Sequence, residues 1–223
     1  MALTTDLVGE IMRATAFLVE QGLADDQNFP YENQVSATRF LVSWTGATGL
    51  GDILRSRPYV ETYAEAREGR LYNVRMLDGA LMQISYEVDA GALLRSRLAF
   101  LPAPDLLEFQ NNAEIYLEEV LYADVVDKRV VTVPLRIDYD ARPGIAQTLT
   151  HPVSHLTLGQ YGSCRIATSS PMTPYLFVEF ILRAFYNNAV SNIAGDLPAG
   201  VLRFPECIEA AERSLVHLGV PGR

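Results

Sequence analysis

Residues 72–88 alternate between apolar and polar side chains on both sides of an Asp78-Gly79 pair. Alternation with a period of two is typical of β-strands that bury one face and expose the other. An Asp-Gly pair between two such runs favours a tight two-residue turn. The segment therefore predicts a β-hairpin with one apolar and one polar face.

The same alternation continues through the middle of the chain. It predicts strands at residues 92–101, 131–139 and 153–158, and a shorter one at residues 40–44. Pro134 lacks the amide hydrogen that a central strand needs, so we expect its strand at a sheet edge or with a bulge. The hairpin and the three longer runs together predict a sheet of about five strands.

Helical signals lie toward both ends of the chain. A first helix is expected to begin at a Thr5-Asp6 cap and to end near Gly22, and Pro58 begins a second helix. Thr173-Pro174 and Pro205 begin two C-terminal helices, because proline fits the first position of a helix. The helix after Pro205 is expected to continue through about residue 218.

The remaining segments indicate a single domain. Residues 24–37 are polar, contain Pro30 and show no period, so we expect a loop there. The 223 residues contain no internal repeat, low-complexity tract or long linker. We therefore predict one α+β domain over residues 1–223. It has a mostly antiparallel sheet of about five strands flanked by helices, with an N-terminal helix and two C-terminal helices.

Composition indicates the cellular setting. Cys164 and Cys207 are too few for a disulfide framework or a cysteine zinc site, so we expect free thiols in a reducing compartment. No apolar run reaches the roughly 18 residues that span a bilayer. The first residues lack the basic and apolar regions of a signal peptide. We therefore expect a cytoplasmic protein that does not associate with membranes.

The formal net charge of the chain is −9. Proteins bind nucleic acids non-specifically through basic residues that displace counterions from phosphates. This acidity argues against non-specific binding of nucleic acid and of anionic membranes. A small local arginine site remains compatible with it.

Several stretches carry a family resemblance. They are Leu-Asp-Gly-Ala-Leu at residues 77–81, residues 105–122, and His-Pro-Val-Ser-His-Leu-Thr-Leu-Gly-Gln-Tyr at residues 151–161, with Phe-Ile-Leu-Arg-Ala-Phe-Tyr at residues 180–186. The chain resembles an uncharacterised bacterial family, DUF2290, over most of its length after about residue 55. The resemblance implies no reaction, ligand or catalytic residue, because the family has none assigned. The resemblance also implies an expectation that the protein is encoded among accessory genes of phage-defence or mobile loci.

The two histidines at the start of the 151–161 stretch raise the question of a metal site. On a helix, His151 and His155 would share one face and could bind a single ion. However, β-branched residues follow them and favour an extended chain, in which the two lie roughly 13 Å apart. A third ligand such as Asp138 would also have to come from elsewhere. We therefore predict neither a metal site nor a cofactor.

Acid–base chemistry on the polar sheet face is the alternative. A histidine base oriented by an aspartate, with arginines that stabilise a phosphate transition state, suits metal-independent RNA cleavage. The candidate catalytic residues are His155, His151, Asp138 and Arg136. The candidate substrate-binding residues are Arg165, Arg97, Thr157, Tyr161 and Ser154. The competing interpretation is an ordinary solvated sheet face with cross-strand ion pairs.

Three functional hypotheses remain open. The first is an accessory or protein-interaction subunit of a bacterial multi-protein system, with a protein partner of unknown identity that docks at residues 111–122 or on the apolar helix of residues 174–188. The second is a small metal-independent nucleic-acid-processing enzyme that uses the polar face. The third is a binder of a small anionic ligand at the same arginines. Burial in the core of this chain is the default expectation for the 174–188 helix.

Overall fold

A computed structural model describes residues 2–44, 57–104, 133–160, 163–193, 196–197 and 200–222 of the chain. These residues form an antiparallel sheet with helices, which confirms the α+β prediction. The strands are β1 Ala24–Gln27, β2 Pro30–Gln34, β3 Arg39–Trp44, β4 Val74–Met76, β5 Leu81–Asp89, β6 Ala92–Leu101, β7 Leu135–Asp140, β8 Ser154–Leu158 and β9 Arg165–Ala167. The helices are α1 Ala2–Glu20, α2 Tyr59–Glu68, α3 Pro174–Phe185, α4 Asn187–Ile193 and α5 Ala210–Arg213.

The nine strands form one sheet in the order β1-β4-β5-β6-β7-β8-β9. The strand β3 pairs with the second half of β5 and carries β2 on its outer side. The predicted hairpin is confirmed as β4 and β5, and the predicted strands at 92–101 and 153–158 are confirmed as β6 and β8. The sheet has more than the predicted five strands because short polar strands extend it at both edges.

The hairpin loop has three residues, 77–79, rather than the predicted two, because the amide of Met76 donates to the carbonyl of Ala80 at 2.8 Å. Gly79 has a φ angle of 86°, a conformation that glycine adopts without steric cost. The Asp78 carboxylate accepts a hydrogen bond from the amide of Ala80 at 3.0 Å. Beyond the turn, Val74 lies opposite Met82 in the ladder. The Asp-Gly turn therefore sets the register in which β4 pairs with β5.

The loop expected at residues 24–37 is wrong, because this segment contains β1 and β2. Its first half, β1, pairs with β4, and its second half, β2, pairs with β3, so both strands lie at edges of the sheet. Four of the five residues of β2 are exposed, which removes the alternation of burial that would have indicated a strand. Backbone pairing rather than side-chain burial therefore defines these strands.

Pro134 does not place its strand at an edge, contrary to expectation. The strand β7 begins at Leu135 and lies between β6 and β8. Pro134 precedes the ladder, so its missing amide hydrogen costs no strand pairing, and its carbonyl accepts from the amide of Gly159 at 2.6 Å. Residues 131–132 lie outside the described part of the chain.

The helices differ from expectation at the two ends of the chain. The helix α1 begins at Ala2 rather than at the predicted cap, which lets Leu3 pack against the core. The long helix predicted after Pro205 is wrong. The amides of Cys207 and Ile208 both donate to the carbonyl of Ser169, so this segment pairs with the chain after β9. A single helical turn, α5, follows it.

The apolar face of the sheet holds the main core beneath α1 and α3. The helix α3 begins at the predicted position, where the Thr173 hydroxyl accepts from the amide of Leu176 at 3.4 Å. Its central residues Phe177, Ile181 and Leu182 are fully buried within this chain. The default expectation for residues 174–188 is met, since the apolar side of α3 packs on the core. None of the described helices is both long and apolar enough to cross a membrane.

A buried carboxylate connects α1 to the C-terminal half of the chain. Glu10 is fully buried, and its two carboxylate oxygens accept hydrogen bonds from the amides of Tyr175 and Leu202, each at 3.2 Å. The carboxylate thereby satisfies an amide in the first turn of α3, where helical partners are absent. Glu10 holds three separate segments together.

We expect Glu10→Ala to lower the free energy of unfolding by about 2 to 4 kcal/mol, because it leaves two buried amides without acceptors. Chemical denaturation measures this loss. The matched control is Glu20→Ala, which makes the same change at an exposed position of the same helix. Equal stability losses in the two variants would contradict the role assigned to Glu10.

Candidate functional site

The polar face of the sheet brings three site residues into one row. In β7, Asp138 points away from its core neighbour Ile137, because side chains alternate along a strand. Asp138 lies opposite Arg97 of β6 on one side and opposite His155 of β8 on the other. Register alone therefore assembles an arginine, an aspartate and a histidine from three strands.

Two arginines bind the carboxylate of Asp138. The Nε atom of Arg97 lies 3.2 Å from Oδ1, and the Nε atom of Arg136 donates to Oδ2. Asp138 and Arg136 are each 9% exposed. Burial by itself would raise the pKa of the Asp138 carboxyl, but the charges of Arg136 and Arg97 outweigh it and lower that pKa. Asp138 is therefore ionised at neutral pH.

His155 is a buried neutral imidazole. It is 3% exposed, and this burial is the main cause that lowers its pKa to about 4, against the opposing effect of Asp138. Its Nδ1 lies 2.8 Å from the carbonyl oxygen of Pro152. Because a carbonyl can only accept, Nδ1 carries the proton and Nε2 carries the lone pair. The sequence analysis did not predict that the carbonyl of Pro152 orients the His155 ring. The only sequence signal for it was the position of a proline between the two histidines.

The Nε2 atom of His155 faces the Asp138 carboxylate at 3.9 Å from Oδ2. Both atoms are acceptors at neutral pH, so the gap is no hydrogen bond. A proton taken up by Nε2 would be stabilised by the facing carboxylate.

His151 lies much closer to His155 than expected. The strand β8 begins only at Ser154, and His151 instead forms an isolated bridge with Gln147. The chain therefore turns between the two histidines, and their ring centroids are 5.0 Å apart with planes at 70°. The predicted separation of about 13 Å is wrong, since it assumed an extended chain. His151 is half-buried and borders solvent.

A second row crosses the same face two residues further along β8. Thr157 lies opposite Arg136 of β7 and opposite Arg165 of β9. Thr157 is buried, whereas Arg165 is half-buried and donates a long bond of 3.4 Å to the carbonyl of Thr150. The structure thus brings together seven of the nine predicted site residues, which we call the polar-face cluster. They are His155, His151, Asp138, Arg136, Arg165, Arg97 and Thr157.

The other two predicted residues are not part of this cluster. Ser154 lies opposite Tyr139, on the other face of the sheet, where its hydroxyl accepts from the hydroxyl of Thr168 at 2.6 Å. The one-residue offset from His155 puts Ser154 on that face. Tyr161 lies outside the described residues. The acidic and aromatic segment at residues 111–122 also falls outside them.

Metal binding has no support within the described part of the chain. There, no group of three or more histidine, cysteine, aspartate or glutamate side chains is placed to hold a metal ion.

A cavity of about 550 Å³ near Tyr139, Arg203 and Cys207 lies apart from the cluster. Burial raises the pKa of the Cys207 thiol to about 11, so this cysteine is a poor nucleophile.

The low pKa of His155 predicts a pH-dependent stability. The unfolded chain, with a histidine pKa near 6.5, binds more protons than the folded chain between pH 6.5 and about 4. The stabilising contribution is complete above pH 6.5 and is lost as the pH falls through about 4. We expect the advantage of wild type over His155→Gln in free energy of unfolding to shrink by roughly 3 kcal/mol from pH 7 to pH 4.

Denaturation curves at several pH values measure this difference. His217→Gln is the matched control, because it removes the histidine that lies outside the cluster. A gap between wild type and His155→Gln that stays constant from pH 7 to pH 4 would contradict a buried neutral imidazole.

The family comparison supports the sequence resemblance. The model of the family described as "Uncharacterized conserved protein (DUF2290)" matches residues 23–220. No curated protein and no solved structure matches the chain. The match covers the sheet, the polar-face cluster and the C-terminal helices. The chain therefore belongs to the DUF2290 family of uncharacterized conserved proteins.

Proposed function

We propose that the polar-face cluster cleaves phosphodiester bonds in RNA without a metal ion. The observation that carries this proposal is the pair of histidine rings 5.0 Å apart, one buried and neutral beside the ionised Asp138 and the other bordering solvent. Because the two rings are in edge contact, a phosphate seated beside both could meet a base from one imidazole and an acid from the other.

The reaction would be an internal transesterification. The Nε2 atom of His155 takes the proton of the ribose 2′-hydroxyl, and the 2′-oxygen forms a bond to phosphorus. The bond from phosphorus to the 5′-oxygen breaks, and His151 in its protonated form gives a proton to that oxygen. The products are a 2′,3′-cyclic phosphate and a free 5′-hydroxyl, so atoms and protons balance.

The remaining groups of the cluster support this chemistry. The Asp138 carboxylate faces Nε2 and stabilises the imidazolium that forms during proton transfer. Arg136 places a guanidinium on the same face, where it can balance the negative charge of the phosphorane. The net charge of −9 argues against retention of long nucleic acids, which favours a short or single-stranded substrate.

We expect purified protein to cleave a short single-stranded ribonucleotide in EDTA and to leave the matching deoxyribonucleotide intact, because the nucleophile is the 2′-hydroxyl. His155→Ala should lower the rate by a factor of roughly 100 to 10,000, the range for loss of a general acid or base. His151→Ala should lower it in the same way.

A fluorogenic oligonucleotide assay measures these rates, and His217→Ala is the control that should keep wild-type activity. Wild-type protein that cleaves no RNA, or a His155→Ala variant as active as wild type, would refute the proposal.

A second candidate is an accessory, protein-interaction subunit of a bacterial cytoplasmic system, such as a defence system. It is favoured by apolar side chains exposed in and directly beside the outer strand β2. Phe29 is 63% exposed, Tyr31 41% and Val35 58%. Tyr31 lies within β2, Phe29 directly precedes the strand and Val35 directly follows it. Exposed aromatic residues in one patch are typical of protein interfaces.

We expect the double variant Phe29→Asp, Tyr31→Asp to lose a protein partner that wild-type chain retains in stoichiometric amounts from its source cells. Charge placed in an apolar contact removes the burial that drives association. The control is Val60→Asp, a change at a 60% exposed position of α2. Tagged purification with mass spectrometry measures retention. Equal retention by wild type and the double variant would exclude this patch as the interface.

A further inference from the structure

Thr157 presents a buried hydroxyl that is unpaired among the described residues. Thr157 is 6% exposed, and its Oγ1 atom makes no hydrogen bond within the described part of the chain. Buried hydroxyl groups in folded proteins are nearly always hydrogen-bonded, because an unpaired one costs stability. An unpaired hydroxyl inside a cluster of charged side chains is therefore a candidate group for binding a ligand.

Two arginines flank this hydroxyl. Thr157 lies directly opposite Arg136 on one neighbouring strand and directly opposite Arg165 on the other. Residues opposed in this way in antiparallel strands have Cβ atoms about 4.5 to 5.5 Å apart. The hydroxyl therefore sits between two guanidinium-bearing side chains on one face.

Both arginines keep donors available for a ligand. Among the described residues Arg136 uses its Nε atom, which donates to Asp138, so its two Nη atoms can bind another acceptor. Arg165 makes one long bond through Nη1 to the carbonyl of Thr150, and it is half-buried at the solvent side of the cluster. A bond of 3.4 Å is weak, and an anion can displace it.

We propose that Arg136, Thr157 and Arg165 form a subsite for a phosphate group of the substrate. Guanidinium groups bind phosphate oxygens through paired N–H donors, and a hydroxyl between them can donate to a third oxygen. The row lies two residues from His155 along β8, a rise of about 6.8 Å, so the phosphate would be held beside the reacting histidines. The nature of the substrate as RNA rests on the proposed cleavage; the phosphate site itself does not.

Thr157→Val tests the subsite, because valine nearly keeps the shape of threonine and removes only the hydroxyl. In the ligand-free protein the free energy of unfolding should stay unchanged or rise, since the hydroxyl loses no hydrogen bond to any residue that the structure describes. Binding of inorganic phosphate should weaken by about tenfold or more, the loss expected for one hydrogen bond to a charged group. Arg165→Gln should weaken binding at least as much.

Calorimetric or NMR titrations with inorganic phosphate, and separately with a 2′-O-methylated RNA trinucleotide, measure this binding. The methylated RNA carries phosphodiesters but lacks the attacking hydroxyl, so it separates binding from cleavage. Thr148→Val and Arg213→Gln are controls, because they make the same changes at exposed positions away from the row. Both should bind either probe as wild type does.

The outcomes separate the subsite from the proposed reaction. If wild type binds neither probe, or if Thr157→Val binds both as tightly as wild type, the subsite is refuted. A large loss of stability in ligand-free Thr157→Val also refutes it, since the hydroxyl would then be structural. If phosphate binds and Thr157→Val weakens it while no RNA is cleaved, the subsite stands and the proposed reaction falls.

Discussion

The carboxylate of Asp138, held between two guanidinium groups inside the protein, is the interaction on which the polar face depends. An isolated buried charge is very costly, so an aspartate that is 9% exposed needs opposite charges at contact distance. Arg97 and Arg136 supply them from β6 and from its own strand. Their charges keep the carboxylate ionised, and the ionised carboxylate gives the neighbouring neutral His155 its electrostatic partner.

The two faces of the sheet carry different side chains, with the apolar core on one face and the charged cluster on the other. Ile137 packs in the core on one face, and its neighbours Arg136 and Asp138 join the polar cluster on the other. Since the side chains alternate with a period of two, the ladder that aligns the core also aligns the cluster. A shift of β7 by one residue against β8 would turn Arg136 and Asp138 toward the core. It would also separate Asp138 from His155.

This coupling explains why much of the site was predictable from sequence. Alternation fixed which residues of β7 and β8 share a face, so Asp138, His155 and Thr157 were expected together and lie together. The placement of His151 was not predictable in this way, because a bridge to Gln147 outside the strands decides it. Ser154 was assigned to the cluster although the same alternation places it on the other face.

The errors at the edges of the sheet have a different origin. The strands β1, β2 and β9 are short, and β2 is largely exposed, so burial leaves little pattern in their sequences. Likewise, proline can begin a helix, but Pro205 precedes a segment whose amides find acceptors at Ser169 instead. Hydrogen bonds to distant parts of the chain determine the secondary structure of these segments. A local sequence pattern does not contain that information.

Two buried aspartates show how partners, rather than burial, set the character of a carboxylate. Asp78 is 5% exposed and receives hydrogen bonds from the Tyr186 hydroxyl and the Ala80 amide. These neutral donors do not compensate for burial, so the pKa of Asp78 rises to about 6. Asp138 meets guanidinium groups, and its pKa falls. Asp78 therefore serves the hairpin as a hydrogen-bonded turn residue, whereas Asp138 stays charged between its two arginines.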